Sequence, residues 1–252
     1  MKTKFTFAKE LIRQAGQFVK EHMTDSYQIE EKTRFDDLVT SVDKATQDFL
    51  IQHILEKYPD DHIFAEENNV RHPISDGHVW VIDPIDGTVN FIVQDEQFAI
   101  MIAYFEDGVG QFGLIYDVMT DTLFSGGGPF DVYANEKKLA PYKDTPLELS
   151  LIGSNASMFA KNYHGIHDLV DKTLGVRVYG GAGISMSKVL SGKLLAYISY
   201  IQPWDYAAAM IMGKKIGYRL LTLDGQDPDM TTRQTVMLVP VSKLETIQKY
   251  LT

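Results

Sequence analysis

The chain has 252 residues, 44% hydrophobic and 23% charged, with a formal net charge of −10, enough for one large domain or two lobes with a sizeable core. The acidic balance and the lack of any basic block argue against a nucleic-acid partner or an anionic membrane surface. Cysteine is absent, which removes disulfides and thiolate metal sites and agrees with a cytoplasmic protein; the N-terminal "MKTKFTFAKELIRQAGQFVKEHM" lacks the apolar core of a secretory leader, and no run approaches a membrane span.

Phe7, Leu11, Ala15 and Phe18 recur at helical spacing and predict an amphipathic helix over 5–23. The polar stretch 26–37 reads as a loop. "TSVDKATQDFLIQHILEKYP" predicts a second helix, with Ala45, Phe49, Ile54 and Leu55 toward the core and Pro59 just past its end. Asp43 falls in or near its first turn, where the helix dipole favours an anion. Strands follow in "HIFAEENN", "HVWVID", "FAIMIAYFED", "GVGQFGLIYDV" and "DTLFSGGG", separated by turn signals, and "DVYANEKKLA" reads as a hairpin with Asn135-Glu136 near its tip. Helices followed by a meander make an α+β pattern.

The chain turns polar from Pro141 to Thr145, and the order beyond is alternating. "LELSLIGS", "VRVYGG", "LLAYISYI", "YRLLTLDG" and "TVMLVPV" read as strands. The helices "ISMSKVLSGK" and "DYAAAMIMGKKIGY" and a closing C-terminal helix lie among them, an α/β pattern. Two lobes are expected: 1–142, an α+β lobe with an antiparallel sheet and a metal site, and 143–252, an α/β lobe supplying Asp205 and substrate contacts.

Carboxylates recur at strand ends: Glu66 and Glu67 after "IFA", Asp83 and Asp86 after "WVI", and Asp205 after "ISYIQPW". Each has a plain reading. Asp205 alone is a helix N-cap, worth about 1 kcal/mol; Asp86 could cap a helix starting near Thr88; the glutamates could be surface charges. Together they fit that reading less well. Two unit charges about 4 Å apart cost about 4 kcal/mol at an effective dielectric of 20, so acids that converged would need bound cations. Oxygen ligands without Cys or recurrent His point to Mg²⁺ rather than Zn²⁺. Gly87 at a helix entrance lets backbone N–H groups approach an anion. Acids that hold metal beside an anion site suggest phosphoryl transfer to water, with Thr88 positioning the water and Asp43 as its acceptor.

"WVIDPIDGTVNFI" resembles the signature of the inositol monophosphatase family. "FAEEN" is similar to its metal-site Glu-Glu segment, "KTRFDDLVTSVDK" to its Asp-Leu-Val-Thr loop, and "PWDYAAA" to its second signature. The four segments stand in family order over almost the whole chain. The resemblance implies a layered α-β-α-β-α sandwich, of the type shared with fructose-1,6-bisphosphatase, and a homodimer. It implies two or three Mg²⁺ ions, inhibition by Li⁺, and a small phosphorylated metabolite as substrate. Carried over residue by residue, Glu66, Asp83 and the Ile85 carbonyl would bind one Mg²⁺. Asp83, Asp86 and Asp205 would bind a second, and Glu66 would face a third. Thr88 with Asp43 would orient the attacking water, and Glu66 would share in catalysis through the metal. Gly87 and Thr88 N–H groups would hold phosphate, with Gly181 and Ala182 beside the substrate. Lys32 matches a lysine on the family's mobile loop near the third ion.

Two positions depart from that pattern. Ala65 replaces the usual Gly before the Glu pair, and "AYISYIQPWD" offers Ser199, Tyr200 and Gln202 where animal inositol enzymes carry a substrate-binding Glu. Inositol phosphate is the default substrate; fructose 1,6-bisphosphate, NADP and nucleotide 2′- or 3′-phosphates are competitors. A non-catalytic regulatory binding protein is the other class, and intact metal ligands and an intact Thr88/Asp43 pair favour the enzyme. "GVGQFG" matches G-x-G-x-x-G but precedes a strand, so it reads as a β-turn rather than a dinucleotide site. "DPIDGT" has Asp-x-x-Asp spacing, which disfavours an aspartyl-phosphate. "HGIHD" reads as surface, and Trp80 and Trp204 as core.

Overall fold

The computed structural model describes residues 1–23 and 26–251. It opens with α1 (Lys2–His22), a ribbon of β1 (Ile29–Glu31) and β2 (Leu38–Thr40), and α2 (Ser41–Lys57). Next come β3 (His62–Ala65), β4 (His78–Asp86), the short helix α3 (Thr88–Gln94), β5 (Ala99–Glu106), β6 (Val109–Asp117), β7 (Thr122–Gly127), β8 (Phe130–Ala134) and β9 (Lys137–Lys138). The remainder holds β10 (Ile152–Ser154), α4 (Ala156–Ala160), α5 (Ile166–Val170), β11 (Val176–Arg177), α6 (Ala182–Leu190), β12 (Ala196–Ile201) and α7 (Pro203–Lys215). It closes with β13 (Tyr218–Thr222), β14 (Gln234–Pro240) and α8 (Leu244–Gln248).

β3 to β9 form a seven-stranded sheet in sequence order, parallel only between β3 and β4. A second sheet has five strands in the order β11-β10-β12-β14-β13. Three apolar clusters define the layers. Ile100, Ile102 and Tyr104 of β5 face α1 and α2. The alternate residues Ala99, Met101, Ala103 and Phe105 face α6 and α7, which also cover Tyr197, Val236 and Leu238 of the second sheet. Ile198, Met237 and Val239 on that sheet's far side pack on α5 and α8. The order is α-β-α-β-α. A strand buried on both faces reads as a continuous apolar run, as "AIMIAYF" does.

The central helix α7 sits unusually close to the first sheet. A Cβ on Gly113 would collide with the Ala208 backbone, and one on Gly127 would come within 2.7 Å of the Ile211 carbonyl. These glycines let the helix that carries Asp205 lie directly on the strands. "GVGQFG" is therefore a turn at Asp107–Gly108, both with left-handed φ, followed by a β6 partly shaped to seat a helix.

Several local expectations need correction. The 26–37 stretch is not all loop: Ile29–Glu31 pairs antiparallel with Leu38–Thr40. All three side chains of β1 are exposed, so no hydrophobic alternation betrays it. Leu55 is exposed, and α2 buries Val42, Asp43, Thr46, Gln47, Leu50 and Ile54 instead. "LELSLIGS" is a 3₁₀ turn at Leu147–Leu149 before a strand of only Ile152–Ser154. "VRVYGG" pairs only through Val176–Arg177.

Candidate active site

Asp83 and Asp86 end β4. In a regular strand, side chains three residues apart point to opposite faces. Here Asp83 pairs with Met101 and Asp86 with Ala99, so three steps on β4 oppose two on β5. This one-residue bulge at Pro84–Ile85 restores parity and turns both carboxylates to one side. Pro84 has no N–H to leave unpaired there. Val79 and Val81 face the α6/α7 layer, so alternation carries Asp83 to the same side.

Asp205 comes from the first turn of α7. It is not the N-cap. Gln202 holds that position, and Asp205 at the third helical residue accepts its N–H at 2.8 Å, half of a capping box. One oxygen each from Asp83, Asp86 and Asp205 lies within 4.8 Å of the others. Asp86 also caps a helix, but α6 rather than α3: its oxygens accept the N–H groups of Ala182 at 2.9 Å and Gly183 at 2.7 Å. The Gly181–Ala182 turn thus lies against Asp86, and the Ala182 N–H is spent on it.

Glu66 follows β3, with its N–H on the Ile82 carbonyl at 3.1 Å. Its carboxylate is outside the tight trio and accepts from Lys32 Nζ at 2.8 Å. Lys32, between β1 and β2, also reaches Glu67 at 2.5 Å. Burial alone would lower the Lys32 ammonium, but Glu66 and Glu67 outweigh it and hold it raised.

Electrostatically the trio is under load. Burial first, and then the charges of Glu66, Asp86 and Asp205, push Asp83 well above the carboxylate range. Asp205 is raised in the same way by burial, Glu66 and Asp86. Burial raises Asp86 to about 6, against the pull of the Ala182 and Gly183 N–H groups. Asp83 Oδ1 is buried and has no hydrogen-bond partner. A buried, unpartnered oxygen among crowded carboxylates, with no sulfur or imidazole beside it, fits a hard divalent cation of the Mg²⁺ type.

On the other side of β4, Gly87 is the N-cap of α3. Its φ of 90° is one that a glycine adopts without strain, and no side chain caps the helix. Thr88 Oγ1 lies 3.0 Å from Asp43 Oδ1 and 3.1 Å from the Ile85 carbonyl, so its single proton goes to one or the other. Asp43 is fully buried. It is fixed by a capping box, in which the Thr40 N–H donates to Oδ2 and the Asp43 N–H to the Thr40 hydroxyl, and the Thr40 hydroxyl itself donates to Oδ2. Burial raises it to about 6, against the pull of the Thr40 hydrogen bonds.

Three neighbours escaped the sequence reading. Gln47 is fully buried and exchanges two hydrogen bonds with the Glu67 main chain, at 2.9 and 2.7 Å. Its signal was available: a polar residue one turn after Asp43, on the stripe that continues to Leu50 and Ile54. Arg71 donates to the carbonyls of Ala65, Glu66 and Val70 and lies 4.5 Å over the Trp204 ring. It thereby joins the Glu66 segment to the residue before Asp205. Arg233 lies 4.7 Å over the half-exposed Tyr200 ring and donates to the Tyr200 carbonyl at 3.1 Å. Neither arginine had a local pattern to mark it.

A model of the inositol monophosphatase family matches residues 1–249. Inositol-1-monophosphatase of Bacillus subtilis (strain 168) is 40% identical, over 87% of this chain and 85% of its own length. Among solved structures, 2′AMP-bound SaIMPase-II is 33% identical with a TM-score of 0.89, covering 99% of this chain and 94% of that one. An IMPase/NADP phosphatase with Mg²⁺ and phosphate is 26% identical with a TM-score of 0.91, over 99% and 95%.

Proposed function

Because the chain belongs to the inositol monophosphatase family, and with it is a metal-dependent phosphoric monoester hydrolase, we propose that the acidic cluster between β4 and α7 is its catalytic centre. The observation that carries this reading is the convergence of Asp83, Asp86 and Asp205 around the unpartnered Asp83 Oδ1. Glu66, Asp83 and the Ile85 carbonyl would hold one Mg²⁺. Asp83, Asp86 and Asp205 would hold a second, with Glu66 open to a third. Mg²⁺ bound there supplies Lewis-acid neutralisation of phosphoryl charge and acidifies the attacking water.

The chain's own groups do the rest. Asp43, ionised, accepts the Thr88 proton and leaves a Thr88 lone pair to receive a proton from water, which aims the water's own lone pair. The uncapped N–H groups of Gly87 and Thr88 face the phosphate oxygens. In-line displacement forms the new P–O bond as the ester P–O bond breaks; the water's proton balances the departing alkoxide, and no phosphoenzyme forms. Lys32 offsets the negative charge of Glu66 and Glu67.

A second substrate reading has its own support. The rim before Trp204 offers an aromatic ring and a guanidinium, Tyr200 and Arg233, where animal inositol enzymes carry an acid. That surface suits a leaving alcohol bearing a base or a further anionic group, such as a nucleotide 2′- or 3′-phosphate or NADP; a relative has been solved with 2′AMP. We further propose inhibition by Li⁺, a homodimer, a cytoplasmic location and the two lobes 1–142 and 143–252. Among the described residues, no helix is long and apolar enough to cross a membrane. The test is phosphate release with Mg²⁺ from inositol 1-phosphate, fructose 1,6-bisphosphate, 2′AMP, 3′AMP and NADP. Turnover of at least one is expected. No release from any, with metal binding confirmed by calorimetry, overturns the reading.

A further inference from the structure

On the far part of α7 from Asp205, a cavity of about 710 Å³ opens between the helix, the β5–β6 turn and β13. Its floor is apolar: Phe105, Met210, Ile211 and Leu220. Gly108 and Gly110 of "GVGQFG" line the wall, with Gly128. The volume and lining fall in the range of small-molecule sites, which are mostly apolar with a few charged groups that orient the ligand.

The charged groups here are three cations and one acid: Lys214, Lys215, Arg219 and Asp227. Arg219 is paired with Asp227 at 2.5 Å. Lys215 donates to the Gly128 carbonyl at 3.3 Å and also lies in the field of Asp131, whose ion pair is with Lys138. Lys214 has no ion pair or hydrogen bond among the described residues. Lysines in a last helical turn complement the helix dipole, but that requirement does not place them beside a cavity with an apolar lining. The excess of positive charge also runs against a chain whose net charge is −10.

We propose that this cavity binds a small amphipathic anion, an aromatic or acyl body carrying a carboxylate, sulfonate or phosphate, at a site separate from the metal centre. The apolar body lies along Ile74, Val109 and Met210, the lining apolar side chains with exposed surface, over the buried Phe105 and Ile211, and the anionic head meets Lys214 and Lys215. The site differs in kind from the acidic centre, where an anion needs bound cations to approach.

The test is a fluorescence titration of the full chain, with saturating Mg²⁺ and inorganic phosphate to fill the metal centre. The probe is 8-anilinonaphthalene-1-sulfonate. One saturable site per chain is expected. Lys214→Glu and, separately, Val109→Glu on the exposed rim of the cavity should each weaken binding roughly tenfold or more, equivalent to about 1.4 kcal/mol. Circular dichroism is expected to show both variants folded, since both positions are exposed. The uncharged analogue N-phenyl-1-naphthylamine should also bind roughly tenfold or more weakly. Absent probe binding, equal affinity in both folded variants, or equal affinity for the uncharged analogue overturns the proposal. So does light scattering that shows a self-association abolished by Val109→Glu with no probe binding, since the face would then serve a second copy of the chain.

Discussion

Gln47 spends its whole side-chain amide on Glu67: Nε2 donates to the Glu67 carbonyl and Oε1 accepts the Glu67 N–H. Asp43 stands one turn earlier on the same helix and meets Thr88. One rigid helix therefore sets the Thr88 partner and the Glu66–Glu67 segment relative to each other.

Gln47→Met keeps the volume and removes both bonds, leaving a buried N–H and C=O unpaired at about 1–3 kcal/mol each. Denaturant unfolding in chelator should show a loss on that order. Calorimetry should show weaker Mg²⁺ binding, with KM for substrate less affected. Unchanged stability and metal affinity would remove Gln47 from this role.

Thr88→Ala and Asp43→Asn act on the water rather than on the metal. Each is expected to lower kcat by roughly 10²–10⁴, the usual reach of a positioned proton-transfer group, while Mg²⁺ affinity holds. Because Asp43 sits at about 6 and works ionised, kcat should fall as pH drops through that value. Asp43→Asn should lose that limb. A limb that persists in the variant would assign it to another group.

The acid cluster makes a signed prediction for the metal-free chain. A carboxyl whose folded pKa lies above its unfolded value binds its proton more tightly when folded. Its stabilising contribution is present below the unfolded value and is lost as pH rises through the folded one. For Asp43 and Asp86 that window runs from 3.8 to about 6, and Asp83 and Asp205, raised by burial and neighbouring acids, act in the same direction. With chelator, Tm should fall as pH rises across this window, and Mg²⁺ should reverse the fall. Asp83→Asn should flatten the slope, raise the metal-free Tm and abolish turnover. Retained turnover would take Asp83 out of the metal site.

Gly113→Ala tests the seat of α7. The new methyl meets the Ala208 backbone, and overpacking of this kind costs about 1–3 kcal/mol. The helix that yields carries Asp205, so Mg²⁺ affinity should fall along with Tm. A fall in Tm with unchanged metal binding would mean that α7 does not transmit the strain to its first turn.

Much of this was legible in the residue order. The periodic helix α1, the continuous apolar run of β5, and the acids after β3, at the end of β4 and in the first turn of α7 announce themselves in the residue order. Short or fully exposed elements do not. β1 has no buried face, and the strand within "LELSLIGS" is cut back to three residues by a 3₁₀ turn. The place of Gln47 on the stripe of Asp43, Leu50 and Ile54 marked its burial but not its partner; like Arg71 and Arg233 it acts on main-chain atoms or residues distant in sequence, which carry no residue code.

The sequence by itself determined the chemistry available: oxygen ligands without sulfur, a hydroxyl beside a glycine-led helix, and an acidic chain that needs local cations to hold phosphate. Tertiary structure alone decided which acids share a site. The Pro84–Ile85 bulge turns Asp83 and Asp86 to one face, and the glycine seat under α7 brings Asp205 down to meet them. Parity along a strand and the distance of closest approach between a helix and a sheet are properties of packed backbones, set by partners far away in the chain.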